Sequence, residues 1–210
     1  MKSPRSVIGV FLLLAGIALA AAGVLVLLQP NVYKAVVTIA VFPLQYYPDN
    51  SYNPYFLLTE FETIQSHAVL KDVIAELKLD ALWGNKYNHG KKLSASETEA
   101  MIKRRLDMRN IRNTKLIEIS VFDNDPIEAA KLANAIARQY REYRVEEFSL
   151  LASKAGKSSE PLKYQPPEVV DAAVPQVRPV RPNRYLGGAM FGGGLFLMVA
   201  GIRSLKRAKN

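Results

Sequence analysis

Residues 7–28 read VIGVFLLLAGIALAAAGVLVLL, 22 residues without a charge or a strong polar group. As a helix rising about 1.5 Å per residue, this run crosses a hydrocarbon core of about 30 Å. Ala18-Leu19-Ala20 and Ala20-Ala21-Ala22 resemble signal-peptide cleavage sites. The apolar core of a signal peptide is only about 7–15 residues long, however, so the run reads as a retained span. A second uncharged run, LGGAMFGGGLFLMVAGI, occupies residues 186–202. It ends in Arg203, Lys206, Arg207 and Lys209, a stop-transfer pattern.

Charge follows the same division. The chain of 210 residues carries 28 Lys and Arg against 19 Asp and Glu, a net of +9. Lys2, Arg5, Arg203, Lys206, Arg207 and Lys209 flank the apolar runs; setting these six aside leaves 22 basic against 19 acidic residues between them. An excess held mainly at the termini suits membrane anchoring and does not suit nucleic-acid binding, so no nucleic-acid partner is expected. Lys/Arg bias orients the chain. The N-terminal flank has Lys2 and Arg5, whereas Lys34 is the nearest cation beyond Leu28. Both ends are therefore placed in the cytoplasm, with Arg178, Arg181 and Arg184 tolerated on the far side. The expected layout is a cytoplasmic N-terminus (1–6), a span (7–28), an extracytoplasmic α+β domain (29–185), a second span (186–202) and a basic cytoplasmic tail (203–210). No cysteine is present, which excludes disulfides and thiolate chemistry.

The second span is rich in glycine. Gly188-Ala189-Met190-Phe191-Gly192 is a GxxxG, and Ala189 and Gly193 continue a stripe of small residues on which another helix can pack. Self-association in the membrane is the expectation.

Between the spans, Val, Ile and Thr enrichment predicts a strand over 33–42. A helix is expected over 57–64. Ser66 reads as the N-cap of another, with Val69, Leu70, Val73, Ile74 and Leu77 on one face. Residues 86–92 read as a polar loop. Ser96-x-x-Glu99 reads as a capping box opening a helix to about Arg105. Strands are expected over 106–111 and 115–122, joined as a hairpin at Arg112-Asn113-Thr114, with Leu116, Glu118 and Ser120 on one side of the second and Ile117, Ile119 and Val121 on the other. Asp125-Pro126-Ile127-Glu128 starts a further helix to about Phe148, with Asp as cap and Pro at the first helical position. Ile127, Ala130, Ala133, Ala137 and Tyr140 are its expected apolar face. Residues 154–165 read as a polar linker and 168–174 as a final strand. Pro175, Pro179 and Pro182 form an extended, polyproline-like lead into the second span. The fold expected is α+β, a small mixed sheet packed with helices.

Little here resembles a catalytic or metal constellation. His67 and His89 lie in unlike contexts without carboxylates at metal spacing, so neither a metal nor another cofactor is expected. Asp123 and Asp125 could be a carboxylate pair, but a strand end and a helix cap account for both. There is no GxxxxGK[ST] and no GxSxG. Tyr46, Tyr47, Tyr52 and Tyr55 cluster where aromatic faces could meet sugar, a neighbouring subunit or the lipid interface. Lys103, Arg104, Arg105, Arg109 and Arg112 could attract an anionic polysaccharide, or pair with a neighbouring subunit's acids.

The order of elements resembles the chain-length determinant family, the Wzz-type polysaccharide co-polymerases. Three stretches carry the resemblance: Ser66-His67-Ala68-Val69-Leu70 with Val73, Ile74 and Leu77; Thr114 to Val121 running into Asp125-Pro126 and Ala129-Ala130-x-x-Ala133-Asn134; and Ala173-Val174-Pro175 with Pro179 and Pro182 before the glycine-rich run. The resemblance implies a non-enzymatic inner-membrane regulator of the chain length or export of a surface polysaccharide. Its implied partners are copies of itself, membrane lipid, and a polymerase or export machinery. One departure is clear: the family's long helical arm would follow the helix that begins at Pro126, and Leu150 to Gln165 is too short for it. Two alternatives stay open, an adaptor for a separate tyrosine-kinase-like ATPase and, from another class, a membrane-tethered glycan hydrolase.

Overall fold

β1 (Tyr33–Ala40) and β3 (Leu116–Asp123) pair antiparallel along their whole length, Tyr33 opposite Asp123 and Ala40 opposite Leu116. Alternation then sorts their side chains: Ala35, Val37 and Ile39 of β1, with Ile117, Ile119 and Val121 of β3, are buried. In the computed structural model, which describes residues 4–43, 54–155 and 165–209, these strands sit at the centre of a four-stranded sheet of order β2-β3-β1-β4. β2 (Leu106–Asn110) joins β3 through the expected hairpin, where Asn113 takes the left-handed conformation (φ 58°) and Thr114 bonds back to Ile111. β4 (Glu168–Asp171) pairs with β1 across a register shift at Thr38/Ile39. Every pairing is antiparallel, so the sheet is not mixed: β1 lies between β3 and β4 and runs against both.

The helices of this α+β unit are α2 (Pro54–Ile64), α3 (His67–Leu77), α4 (Leu79–Tyr87), α5 (Ala95–Arg105) and α6 (Pro126–Ala155). Ser66 caps α3, its hydroxyl accepting from the Val69 amide. Asp125 caps α6, its carboxylate accepting from the amides of Ile127 (2.8 Å) and Glu128 (3.4 Å). Val69, Leu70, Val73 and Ile74 of α3, Ala129, Ala133, Ile136, Ala137 and Tyr140 of α6, and the inner faces of β1 and β3 form one core. Fully burying one of the Val, Leu or Ile side chains among them contributes about 1.5–3 kcal/mol.

Four local expectations need correction. The capping box of α5 is Ser94 with Glu97, not Ser96 with Glu99: the Ser94 hydroxyl accepts from the Glu97 amide, and the Glu97 carboxylate accepts from the Ser94 amide at 2.9 Å. The stretch SASETE holds two overlapping matches, and the earlier one leaves Glu99 to reach Nδ1 of His67. The 86–92 loop starts later, because α4 runs through Tyr87. Its predecessor ends on Lys78 in the left-handed region (φ 50°), a place where Gly or Asn is usual, so no sequence signal marked the break. Ile127 is 51% exposed, since it lies six residues before Ala133 and so about 120° off the buried face of α6. The last strand stops at Asp171 instead of Val174, and Ala173 makes a different contact, described below.

α1 (Pro4–Leu28) and α7 (Arg184–Lys209), with the segments joining them to the sheet, form a second unit, Met1–Val32 and Arg178–Asn210, distinct from Tyr33–Val177. α1 ends just before Gln29-Pro30, where proline disfavours helix in the preceding residue. Both helices are long and apolar enough to cross a membrane, over Val7–Leu28 and Arg184–Arg207. Only 17% of the most apolar window of each is buried, unlike the core helix of a soluble protein. They pack antiparallel on glycine. A Cβ added to Gly16 would lie 2.7 Å from the Gly194 carbonyl oxygen, and one added to Gly194 would lie 2.5 Å from the Ala20 amide nitrogen. Gly23 meets Gly187 and Phe191 in the same way, and Gly9 meets Gly201 and Leu205. Each set repeats every seven residues, about two helical turns, which keeps all three glycines on one side.

Candidate functional site

The basic run does not form one field. α5 ends in Lys103, Arg104 and Arg105, cations that suit the negative end of a helix dipole. Arg105 turns inward, pairs with Asp123 and lies over the Trp83 ring at 4.3 Å from its centroid. Arg109 on β2 stands opposite Glu118 in the hairpin register and bonds it at 2.5 Å. Lys103, Arg104 and Arg112 are exposed. Two of the five cations are thus neutralised by carboxylates of this same chain, and three face solvent.

The two candidate carboxylates have separate tasks. Asp123 is 5% exposed, and Arg105 donates to it. It also accepts from the Asp125 amide at 3.1 Å, and the Lys86 ammonium lies 4.0 Å away. Asp125 caps α6. Partial burial pulls the Lys86 ammonium down, but the Tyr87 hydroxyl beside it and the charge of Asp123 hold it above the ordinary lysine value.

Two further polar clusters escaped the sequence reading. Glu60 is 1% exposed and binds Tyr140 and Arg144 of α6; Arg144 Nε donates to it at 3.0 Å, and Nη1 of the same guanidinium reaches Glu147 at 2.6 Å. Burial, then the charge of Glu60, pushes the Tyr140 hydroxyl above its ordinary range. Burial works the other way on Arg144, but the hydrogen bond and charge of Glu60 outweigh it and fix the guanidinium as a cation. The signal was an acid on an apolar face, for Leu57, Glu60 and Ile64 share one side of α2. The other cluster joins two motif stretches. Asn134 of α6 donates from Nδ2 to the Ala173 carbonyl and accepts from the Ala173 amide, both at 2.9 Å. A side-chain amide here takes the place that a neighbouring strand would hold.

Of the small residues singled out on α7, Gly193 makes ordinary contact with Leu19, 3.6 Å from its added Cβ, while Gly188 and Gly192 meet nothing within 4 Å. Ala189 is exposed. Pro126 opens α6; Pro175 and Pro179 lie in the lead-out, and Pro182 is buried after a cis peptide bond. The lead-out is not wholly polyproline-like, because Val180 and Arg181 exchange backbone hydrogen bonds with Val32. Tyr46, Tyr47 and Tyr52 lie outside the described residues, and Tyr55 is 78% exposed at the start of α2. His67 pairs with Glu99, and among the described residues no group of three or more His, Asp or Glu could hold a metal ion.

No protein-family model matches this sequence, and no curated protein matches it. The geometry therefore stands by itself. Asp123, Glu60 and Asn134 each spend their polar atoms on other parts of the same unit, which makes them braces between elements.

Proposed function

We propose that this chain is a two-pass protein of the bacterial inner membrane whose α+β unit, outside the cytoplasm, acts as a scaffold for the polymerisation or export of a surface polysaccharide, as the resemblance to the chain-length determinant family implies. One observation carries the reading: the first two family-like stretches and the start of the third, Ala173-Val174-Pro175, lie in one unit, Tyr33–Val177. α3 packs on α6, β3 pairs with β1, and Asn134 of the second stretch holds Ala173 of the third. In the chain, that unit is bracketed by two helices fit to cross a membrane.

Orientation rests on cations. Six lie toward the outer ends of the two helices, whereas on the other side Arg178 and Arg181 precede α7 and Arg184 is its first residue, so both termini are assigned to the cytoplasm. Only twelve residues separate Ala155 from Glu168. As helix they would reach about 18 Å, too short for a hairpin arm. This favours a role in binding and positioning other components, a separate polymerase or a separate cytoplasmic ATPase, over one in which a long arm measures the polymer.

A gel of surface polysaccharide from a deletion strain tests the proposal. A scaffold's loss leaves sugar polymerisation running and changes the length distribution or the amount exported. An unchanged ladder with unchanged yield would remove the polysaccharide reading.

A further inference from the structure

α7 has two faces. Gly187, Gly194 and Gly201 lie against α1, and helical spacing puts Phe196, Val199, Arg203 and Arg207 on the opposite side. There a groove of about 580 Å³ is lined by Phe196, Val199, Ala200, Arg203, Ser204 and Arg207. Its composition changes along the helix, apolar for the first three residues and cationic or hydroxylic for the last three.

We propose that this groove binds one anionic phospholipid, its phosphate held by the Arg203 and Arg207 guanidiniums and its acyl chain lying along Phe196, Val199 and Ala200. The inference rests on the reading of α7 as a membrane span. Three considerations identify the occupant. First, the switch from apolar to cationic lining falls at the end of the apolar run, where hydrocarbon gives way to head groups. Second, the sequence of their own unit is strongly basic and offers the groove arginines no acidic side chain. Nine of the 28 basic residues lie in Met1–Val32 and Arg178–Asn210, which contain no Asp or Glu; the other 19 are matched by the 19 acidic residues of Tyr33–Val177. Third, guanidinium pairs with phosphate through parallel N–H donors and tolerates a half-apolar setting better than ammonium does. The helix dipole opposes an anion here, but it amounts to only about half a charge at the C-terminus. Arg203, Lys206, Arg207 and Lys209 outweigh it.

The test uses the full-length chain purified in detergent and observed by native mass spectrometry with phosphatidylglycerol or phosphatidylcholine added at equal concentration. A phosphatidylglycerol adduct should persist where the phosphatidylcholine adduct does not. Replacing both groove arginines (Arg203→Gln with Arg207→Gln) should weaken it by about tenfold or more, and Lys206→Gln, off the groove, by less than about threefold. Equal retention of the two lipids, or equal loss with Lys206→Gln, would overturn the groove assignment and leave only diffuse attraction to anionic surfaces. Displacement of the lipid by millimolar inorganic phosphate would also overturn it, marking a free-phosphate site. Carbonate extraction of membranes from the same strains separates the two levels. A parent chain released by carbonate refutes the membrane reading and the groove with it. A parent retained in the membrane but showing no lipid preference refutes the groove alone.

Discussion

The two units are held together by opposite means. In Tyr33–Val177, large side chains such as Ile117, Ile119, Ile136 and Tyr140 are excluded from solvent, and acids equal bases in number. In the helical unit, large side chains such as Phe11, Leu25 and Phe196 are exposed, the contact surface is glycine, and no acid is present. A sheet in water is stabilised by removing apolar area from solvent. Helices in lipid gain nothing from that, and close backbone approach takes its place. Substitutions should therefore have contrasting effects in the two units.

The largest effect is expected in the sheet core. Ile119→Asp places a carboxylate where no solvent reaches, at a cost on the order of 4 kcal/mol or more, and limited proteolysis should show residues 33–177 opened. Carbonate-resistant membrane association should persist, because it depends on α1 and α7.

Next is the Glu60–Arg144 pair. Arg144→Met leaves a buried carboxylate unpaired and should cost about 3 kcal/mol in urea unfolding, whereas Glu60→Leu combined with Arg144→Met should recover much of that loss. If the double variant is as unstable as the single one, packing and not charge is what the pair supplies.

In the helical unit, Gly16→Leu should separate α1 from α7 at a cost of about 1–2 kcal/mol. With cysteines introduced at Leu19 and Gly193, where a Cβ added to Gly193 would lie 3.6 Å from the Leu19 side chain, a short bis-maleimide reports the pairing. Its yield should drop about tenfold in Gly16→Leu and stay unchanged in Gly188→Leu or Gly192→Leu. A drop in the latter two would mean that the pair uses the GxxxG face after all.

The smallest effect concerns the cap of α5. Ser94→Ala should cost about 1 kcal/mol, and Ser96→Ala less than about 0.5 kcal/mol. Bonds from the Ser94 hydroxyl and then its amide hold the Glu97 carboxyl below its ordinary value. That contribution is complete at neutral pH and is lost as pH falls below about 4.5, the ordinary value for this group, so the gap between parent and Ser94→Ala should narrow in acid.

Much of this was legible in the sequence. The alternation of Lys115 to Phe122, the Ser66 cap, the Asp125-Pro126 start and both apolar runs were set by local pattern, and the structure places each close to its expected position. What was not legible depends on distance or on register. Glu60 and Arg144 are 84 positions apart, so neither period nor motif joins them. α7 has glycine at 187, 188, 192, 193, 194 and 201, and only the antiparallel register with Gly9, Gly16 and Gly23 selects the three that meet α1. The seven-residue repeat was present in both runs, but a search for glycines four apart passes over it. In the same way, two serines two residues apart both match a capping box for α5, and the structure starts the helix after the first of them, at Ala95.

The central claim is that the glycine-packed pair is a membrane hairpin with both ends in the cytoplasm and the sheet-bearing unit outside. A reporter active only outside the cytoplasm tests it most directly, inserted after Gln165 in one fusion and joined at Asn210 in another. The account predicts activity at Gln165 and silence at Asn210. Activity at Asn210, or silence at both positions in fusions of equal abundance, would contradict it.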